Sequence, residues 1–387
     1  MSYPTKKLRD ISIIGTGKLD SNAAVENGEY PFFTCDPQTL RIDKWEYDTE
    51  AVLLAGNNAS GNYTAKYYKG KFNAYQRTYI IETADKGTLN VRFLCYAINQ
   101  QLKLLKAMSA GSTTKFLTIR MLHDLDIPCP VIDTQKRIVA IIGTIDDLIE
   151  NNQKQIKLLE EAAQRLYKEW FIDLRFPGHE TTPILDGVPE GWEKKRFSDV
   201  FSFVRGRSYS SKDLSEQGIL MANLKNIRAF GGYNRNAEKR YVGDYKDNQL
   251  LSSGDIIMGV TDMTQERRLV GHVGIVPQVK EPMVFSMDLI KLIPHDVPKS
   301  YLYAALQFGG LSEKIAPLAN GVNVLHLKPE AMMGMEMIVP DKDLLREYDV
   351  LFSNYQDRIE VLQRQCDLAV EARDRLLPKL MSGEIEV

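Results

Sequence analysis

From Thr134 to Leu174 the sequence reads TQKRIVAIIGTIDDLIENNQKQIKLLEEAAQRLYKEWFIDL. Its apolar residues recur at alternating intervals of four and three, which places them on one seam of a single long helix with charged residues on the other faces. Such a seam needs a partner helix. The seam positions are Ile138, Ile142, Ile145, Ile149, Asn152, Ile156, Leu159, Ala163, Leu166 and Trp170.

A second stretch supplies the partner. It has the same alternating spacing, and each of its seam positions lies 210 residues after a counterpart in the first stretch. Two seams in one chain most simply pack on each other, so we expect a pair of long helices and an internal repeat. The second seam consists of Tyr348, Phe352, Tyr355, Ile359, Leu362, Cys366, Ala369, Arg373, Leu376 and Leu380.

The repeat extends into the segments that precede the two helices. Residues 8–11 correspond to residues 197–200 at an offset of 189, whereas Gly111 and Pro130 correspond to Gly321 and Pro340 at an offset of 210. The second copy has therefore gained about 21 residues, which we place mainly between 205 and 255. Each half is then a globular domain followed by a helix.

Local patterns predict the main elements of both domains. Buried strands are expected at 51–55, 79–81, 255–258 and 288–292, and an amphipathic helix is expected at 89–108. Asn152 either sets the register of the helix pair or faces solvent. Pro378 should end the second long helix near Leu377.

Length and composition indicate a multi-domain protein outside the membrane. At 387 residues with 44% apolar content, the chain is long enough for two or three domains with real cores. No apolar run approaches the ~20 residues needed to cross a bilayer, and the N-terminus lacks a signal pattern. The four cysteines are scattered, which favours free thiols in a reducing cytoplasm.

The charge is distributed unevenly along the chain. Residues 1–132 carry 16 Lys and Arg against 13 Asp and Glu, and residues 178–340 carry 19 against 19. The helical segments 133–177 and 341–387 are acidic, at 7 against 8 and 7 against 11. A protein that binds nucleic acid alone is usually more basic. Either this chain does not bind DNA, or partners supply much of the phosphate neutralisation.

The order of these features resembles the specificity subunit of type I restriction-modification enzymes, over essentially the whole chain. The first domain departs from the family pattern, because it begins at Tyr3-Pro4 and lacks the Pro-x-Gly-Trp entry of the second. The resemblance is carried by Ile127-Pro128-Cys129-Pro130 and Ile338-Val339-Pro340 before the helices, by Gln135-Lys136-Arg137-Ile138, and by Val188-Pro189-Glu190-Gly191-Trp192-Glu193.

The resemblance implies an α+β fold. Two globular mixed α/β target recognition domains, at 1–132 and 178–340, are separated by a pair of long antiparallel coiled-coil helices, at 133–177 and 341–387, with a pseudo-two-fold internal repeat. It also implies a non-catalytic reader of double-stranded DNA, in which each domain reads one half of a split target. About 37 helical residues span roughly 55 Å, which exceeds the ~34–36 Å of one DNA turn, so the helices can set the unread gap.

Partners and cofactors follow from the same resemblance. The helix pair is expected to dock two adenine methyltransferase (modification) subunits, which carry S-adenosylmethionine, and a separate motor-nuclease (restriction) subunit joins to cleave unmethylated DNA. No cofactor, metal or membrane is expected on this chain itself.

Motifs of catalysis do not occur in the sequence. Gly15-Thr16-Gly17-Lys18-Leu19 looks like part of a phosphate loop, but Ser12 stands where the first glycine belongs and Leu19 where Ser or Thr belongs. There is no methyltransferase Asn/Asp-Pro-Pro-Tyr/Phe motif, Gly-x-Ser-x-Gly or HExxH. Asp262 and Glu266 are interpreted as polar loop residues rather than magnesium ligands.

Candidate DNA contacts are polar and cationic loop residues, whose side chains read base edges or hold phosphates. The alternative for each is an ordinary turn or a solvated surface charge. Residues around 113–115 and 323–326 are favoured, because both copies carry a polar loop at this repeat position. In the first domain the candidates are Lys18, Asn57, Asn58, Ser60, Asn62, Tyr63, Lys66, Arg77, Thr113, Thr114 and Lys115. In the second domain they are Arg205, Arg207, Ser208, Tyr209, Asn223, Lys225, Asn226, Arg228, Thr261, Gln265, Arg267, Arg268, Asn323 and His326.

Two other functions remain open from the sequence. One is an enzyme that modifies or cleaves DNA by itself, and the other is a coiled-coil scaffold that binds only protein. Loss of one bipartite adenine-methylation motif on deletion of the gene would distinguish the reader from both.

Overall fold

The computed structural model describes residues 3–58, 61–109 and 115–387. The chain forms two compact units, and the first of them is built from two separate stretches of the sequence. The first unit comprises Met1–Asn151 together with Gln365–Val387, and the second comprises Asn152–Arg364. Each unit therefore contains one globular part and segments of both long helices. The predicted boundaries at 132, 177 and 340 stay predictions.

The globular part of the first unit is built on a six-stranded sheet. Its strand order is β2-β8-β5-β7-β3-β4, and all pairs are antiparallel except β3 with β7. Two short antiparallel pairs, β1 with β10 and β6 with β9, complete it. The strands are β1 (Thr5–Lys7), β2 (Ser12–Thr16), β3 (Tyr30–Phe33), β4 (Leu40–Ile42), β5 (Tyr47–Ala55), β6 (Asn57–Asn58), β7 (Ala65–Ala74), β8 (Thr78–Thr83), β9 (Lys115–Phe116) and β10 (Asp126–Pro128); the helices are α1 (Leu8–Ile11), α2 (Val91–Gln100), α3 (Leu102–Met108) and α4 (Ile119–His123).

The prediction of one helix at 89–108 is wrong in one respect, because this segment forms the two helices α2 and α3. The Asn90 side chain caps α2 by accepting from the backbone N–H of Phe93 at 3.0 Å. At Gln101 the backbone leaves helical geometry, with φ −100° and ψ 4°. The Gln101 side chain donates to the carbonyl of Asp126 at 2.6 Å. This contact with a distant part of the chain ties the junction of α2 and α3 to β10.

The long helix α5 spans Ile132–Tyr167 and continues as a π-helical turn at Lys168–Ile172. The globular part of the second unit follows it, with antiparallel sheet β14-β22-β18-β20 and a second sheet, β16-β15-β21-β17, in which β15 and β21 are parallel. The pairs β11–β12, β13–β24 and β19–β23 are antiparallel. The strands are β11 (Ile184–Leu185), β12 (Val188–Pro189), β13 (Glu193–Arg196), β14 (Phe201–Arg205), β15 (Leu214–Ala222), β16 (Lys239–Tyr241), β17 (Leu250–Leu251), β18 (Ile256–Gly259), β19 (Thr261–Asp262), β20 (Val273–Ile275), β21 (Met283–Phe285), β22 (Leu289–Pro294), β23 (Leu325–His326) and β24 (Glu336–Val339); the helices are α6 (Phe197–Val200), α7 (Lys299–Phe308), α8 (Leu311–Ile315) and α9 (Lys342–Ser382).

The two globular parts repeat one plan, which confirms the predicted fold class and internal repeat. Helix α1 matches α6 at an offset of 189, since Leu8 corresponds to Phe197. The ladder β6–β9 matches β19–β23, and Lys115 corresponds to Leu325 at an offset of 210. Ala55 ends β5 and corresponds to Gly259, which ends β18, at an offset of 204. Most of the added residues therefore precede Gly259, where β15, β16 and β17 lie.

In the first unit, α5 and α9 pack as an antiparallel pair. Ile138 and Ile142 share a buried core with Leu377 and Leu380. Farther along, the Cys366 thiol lies 3.8 Å from the carbonyl oxygen of Ile149. Residue numbers rise along α5 as they fall along α9, so the predicted packing of the two seams is confirmed.

In the second unit, the same two helices pair through aromatic side chains. The rings of Tyr167 and Trp170 lie 6.3 and 6.0 Å from that of Tyr348. The seam positions of both helices are buried or half-buried throughout. Asn152 is buried as well, so it does not face solvent.

The expectation that Pro378 ends α9 is wrong, because the helix continues to Ser382. Proline removes one helical hydrogen bond and crowds the preceding turn. Here Leu377, Leu380 and Met381 are all buried in the core of the first unit. Burial of these three side chains on both sides of Pro378 holds the last turn in place.

In the described parts of the chain, we find no helix that combines the length and apolarity needed to cross a bilayer.

Candidate nucleic-acid interface

In the first unit, the ladder β6–β9 gathers several predicted contacts. Asn57 pairs with Phe116, and Asn58 pairs with Lys115. The Asn58 side chain accepts from the backbone N–H of Asn62 at 3.2 Å. Residues from two distant segments thus form one polar edge.

Lys106 joins this edge, although the sequence analysis missed it. Its ammonium group donates to Oδ1 of Asn62 at 2.7 Å. Lys106 lies on α3, where its spacing is that of an ordinary solvated helix face, so no sequence signal marked it. Together with Lys115 it provides two cations beside three asparagines.

Arg77 lies in a cleft of about 330 Å³ next to the ladder. Its carbonyl oxygen accepts from the backbone N–H of Gly56 at 2.8 Å, which fixes the turn that carries it. Phe116 lines the same cleft and is 40% exposed. The sequence analysis did not single out this exposed aromatic ring at the edge.

The remaining candidates of the first unit are more constrained. Lys18 is exposed but pairs with Glu46 at 2.6 Å, and this hydrogen bond and charge raise the pKa of Lys18. Lys66 donates to Thr39 Oγ1 at 3.1 Å, and burial lowers the pKa of Lys66. Tyr63 is buried in the core. The predicted residues Ser60, Thr113 and Thr114 lie outside the described residues.

In the second unit, the ladder β19–β23 and the two loops beyond it form the corresponding edge. Thr261 pairs with His326, and the side chain of Gln265 donates to the carbonyl of Val322 at 2.9 Å. This hydrogen bond joins loop 263–268 to loop 320–324. The structure therefore brings together six candidates, which are Thr261, Gln265, Arg267, Arg268, Asn323 and His326.

Asp262 shapes the first of these loops from beneath. Its carboxylate is buried and accepts from the backbone N–H groups of Leu269 at 2.6 Å and Thr264 at 2.8 Å. Burial alone favours the neutral acid, but these hydrogen bonds outweigh it and hold the pKa of Asp262 below its usual value. Asp262 is thus a buried anion of β19 that shapes the loop after it, whereas the sequence analysis interpreted it as a polar loop residue. In the parts of the chain that the structure describes, no group of His, Cys, Asp and Glu is arranged to hold a metal ion.

The segment after β14 lies next to this edge. Arg207 exchanges backbone hydrogen bonds with Phe285 and Met287, and Asp288 accepts from Thr261 Oγ1 at 3.1 Å. The turn 286–288 therefore links Arg207 to the ladder. Ser208 is exposed next to it, whereas the Tyr209 hydroxyl accepts from Lys239 at 2.6 Å.

Arg205 is occupied within the protein. Its guanidinium donates to both carboxylate oxygens of Glu330, at 2.6 and 2.7 Å. Both side chains remain more than half exposed, so competition from a phosphate is sterically open. The pair places the carboxylate of Glu330 next to the guanidinium of Arg205 at the end of β14.

Four other candidates lie outside the ladder β19–β23 and its two loops. Asn223 and Asn226 are buried and bond to each other and to backbone carbonyls of Ala237 and Asn234, so they build a turn. Lys225 between them is exposed. Arg228 lies 3.5 Å from Glu160 of α5 and thus faces the helix pair. Asparagines that satisfy their own turn are indistinguishable by sequence from those that face a ligand.

Matched positions of the repeat carry polar groups in both units. Gly17 and Gly206 each follow the first strand of a sheet, and a Cβ on either would overlap a backbone carbonyl oxygen, of Ala74 or Ser286. The next residues are Lys18 and Arg207, both cationic, at the offset of 189. Asn57 likewise corresponds to Thr261, at 204. The two units therefore present unlike side chains on a shared scaffold.

Comparison with known proteins identifies the class to which this scaffold belongs. The profile of the family described as type I restriction modification DNA specificity domain matches residues 2–161 and 189–343. The two matches coincide with the two copies of the repeat. The chain belongs to this family, and the resemblance seen in the sequence is confirmed.

Individual relatives agree with the family match. The chain is 30% identical over 223 residues to the type I restriction enzyme EcoDI specificity subunit of Escherichia coli, a match that covers 52% of this chain and 49% of that protein. It is 28% identical over 418 residues to the MjaIX specificity subunit of Methanocaldococcus jannaschii, across 100% of this chain and 94% of that protein. The crystal structure of a type I restriction-modification S subunit from M. genitalium superposes with a TM-score of 0.66 at 16% identity, covering 98% of this chain and 96% of that one, which establishes the shared fold.

Proposed function

We propose that the chain is the sequence-specific DNA-recognition subunit of a type I restriction-modification complex and that each unit reads one half of a bipartite target. The observation that carries this proposal is the repetition of one polar ladder, β6–β9 in the first unit and β19–β23 in the second. Both ladders end in loops with amide and cationic side chains. The side chains differ between the units, so the two half-sites differ in sequence.

The chemistry of the two edges supports reading of the DNA major groove. Asparagine and glutamine amides pair with adenine, and arginine pairs with guanine. The first edge offers the amide donors of Asn57, Asn58 and Asn62, although Asn58 and Asn62 also accept hydrogen bonds within the edge. The second edge offers Gln265 and Arg267. Lysines 106 and 115 and the exposed Ser208 suit phosphate contacts, which fix the register of the protein on the duplex.

The helix pair offers docking surfaces for partner subunits. In the first unit, α2 covers one side of α5 through Arg92, which donates to Asp147 at 2.8 Å. Ile141 and Leu148 lie on the opposite side of α5, by helical spacing, and are exposed together with Leu368 of α9. An uncovered apolar side of a helix pair is suited to another helix.

The second unit repeats this exposed apolar surface. Leu351 and Leu158 are exposed there, and they lie 210 residues after Ile141 and 210 before Leu368. One surface, occurring once in each unit, suits two copies of one partner. We infer that these copies are the adenine methyltransferase subunits, with S-adenosylmethionine bound to them. Motor-nuclease subunits join the same complex, and the chain itself performs no chemistry.

Methylome sequencing tests the proposal directly. A host that carries the gene should methylate adenines in one asymmetric bipartite motif, and deletion of this gene alone should abolish that motif. The purified chain, incubated alone with DNA and either S-adenosylmethionine or Mg²⁺, should neither methylate nor cleave it. An unchanged methylome after deletion, or activity of the isolated chain, would contradict the proposal.

A further inference from the structure

Two apolar side chains stand out on the polar edge of the second unit. Val322 is 87% exposed and Met263 is 77% exposed, the highest values for large apolar side chains across residues 3–58, 61–109 and 115–387. Single exposed apolar residues are common on protein surfaces. Here, however, the two most exposed ones lie on loops that are hydrogen-bonded to each other, through Gln265 and the Val322 carbonyl at 2.9 Å.

Both loops are held in shape from within the protein. The Asp262 carboxylate fixes the start and end of loop 263–268, as described above. In the other loop, Asn320 and His326 exchange backbone hydrogen bonds of 3.0 and 2.9 Å and close its base. Gly321 lies against the carbonyl of Val324, so that a Cβ there would overlap it. The apolar tips are therefore displayed by fixed loops rather than by freely moving ones.

The surroundings of the two exposed side chains are polar and charged. Arg267 and Arg268 belong to the loop of Met263, where Glu266 pairs with Arg268, and Asn323 and His326 follow Val322 in the other loop. An apolar protein partner would cover Arg267, Asn323 and His326 without offering them hydrogen bonds. Duplex DNA satisfies both kinds of group, because its major groove offers base-edge acceptors and phosphates beside the apolar 5-methyl group of thymine.

We propose that Val322 and Met263 contact the 5-methyl group of a thymine in the half-site read by the second unit. This inference rests on the proposed function and adds a specificity-determining contact to it. The hydrogen-bonding residues around the tips define the orientation of the loops in the groove. The apolar tips then favour thymine over cytosine at one position, since cytosine lacks the methyl group.

The test uses a base change that removes only this methyl group. The chain is assembled with the methyltransferase subunits of its host. The dissociation constant of this complex is then measured on unmethylated duplexes that carry the motif identified by methylome sequencing. Each thymine of both half-sites, on either strand, is replaced singly by deoxyuridine. For the unaltered complex, one replacement should weaken binding by about fourfold, the effect of one buried methyl group.

Matched variants connect that position to the two side chains. Val322→Ser combined with Met263→Gln should bind thymine and deoxyuridine duplexes equally at the sensitive position, because serine has no methyl group to contact the thymine methyl. Val131→Ser is the control, since Val131 is also strongly exposed, at 73%, but precedes α5 in the first unit. It should preserve the fourfold difference. The sensitive thymine should lie in the half-site that Arg267→Ala weakens.

Several results would overturn the inference. It fails if no thymine is sensitive, or if the double variant still distinguishes thymine from deoxyuridine. It also fails if the double variant no longer bends the thymine duplex as the unaltered complex does, because loss of bending indicates that the two side chains act as a wedge between base pairs. If the unaltered complex binds the motif no better than a scrambled duplex, the proposed function itself fails.

Discussion

The hydroxyl of Tyr96 donates a 2.6 Å hydrogen bond to Oδ2 of Asp146, which joins α2 of the first unit to α5. The other oxygen of Asp146 accepts from Arg373 of α9 at 3.3 Å. One carboxylate therefore connects the globular part of this unit to both long helices. Asp146 lies just outside the seam, and the periodicity of the sequence does not mark it.

Replacing Tyr96 by Phe should weaken this connection without changing the shape of the side chain. A hydrogen bond to a charged group is lost from a largely buried position, so the free energy of unfolding should fall by about 1–2 kcal/mol. Urea unfolding measures the change. Tyr68→Phe is the control, because its hydroxyl makes only a 3.5 Å exposed contact with Lys71. Equal effects of both substitutions would show that Asp146 adds nothing specific.

Arg267 should contribute to recognition at one base position. Its replacement by Ala should cost about 1–3 kcal/mol of discrimination at a single base pair and leave the other positions unaffected. Binding of the assembled complex to a set of single-base variants of the motif measures this. A uniform loss on all sequences would assign Arg267 to a phosphate instead.

Arg205→Ala provides a useful contrast to Arg267→Ala. The Arg205 side chain is already held by Glu330, and such an exposed pair is worth roughly 0–1 kcal/mol. We expect this variant to change affinity little and without base preference.

The two exposed apolar surfaces of the helix pair should bind equivalent partners. Leu158→Glu and Leu368→Glu alter positions 210 residues apart, one in each unit. Each single variant should retain one methyltransferase subunit, and the double variant should retain none, since each charge opposes burial of its surface. Native mass spectrometry counts the subunits. Leu185→Glu, at an exposed position of β11, should leave both in place; loss of both subunits from either single variant would argue against independent surfaces.

Shortening both long helices by one heptad should change the unread gap of the target. Removal of residues 149–155 and 359–365 preserves the spacing of both seams. It shortens each helix by about 10.5 Å, which corresponds to about three base pairs at 3.4 Å each. Methylome sequencing of the host should therefore show the same half-sites about three base pairs closer. An unaltered spacing would exclude the helices as the determinant of the gap.

Acid should destabilise the second unit through His272. Burial lowers the pKa of His272, against the opposing charges of Glu313 and Asp262. The folded protein therefore binds its proton less well than the unfolded chain, whose histidine pKa is about 6.5. The stabilisation is complete above this pH and is lost as the pH falls below it. The unfolding midpoint should drop between about pH 7.5 and about pH 5.5, and this drop should be smaller for His272→Gln.

The helix pair and the repeat could be predicted from the sequence because both depend on spacing along the chain. A 4–3 interval identifies the seam of Ile138 and Ile142 wherever the helix lies. The two-residue ladders could not be predicted in this way. Asn58 meets Lys115 only because the sheet and α3 bring distant segments together, and no local pattern encodes that distance.

Polar turns limited the prediction of the interface. Asn223 and Asn226 have the residue types of a reading loop, yet their amides bond to their own turn and to nearby carbonyls. The apolar tips were missed for the opposite reason. Val322 and Met263 look like core residues by type, and only the structure shows them in solvent.

Gly17 and Gly206 leave no room for even a methyl group, whereas Lys18, which follows the first, is exposed and Arg207, which follows the second, is half-buried. In each unit, a position that accepts only glycine is thus followed directly by a position that carries a long side chain. Exchange of the residue after either glycine therefore leaves the packed glycine beside it undisturbed. We expect related chains to retain these two glycines while the residue that follows each of them differs.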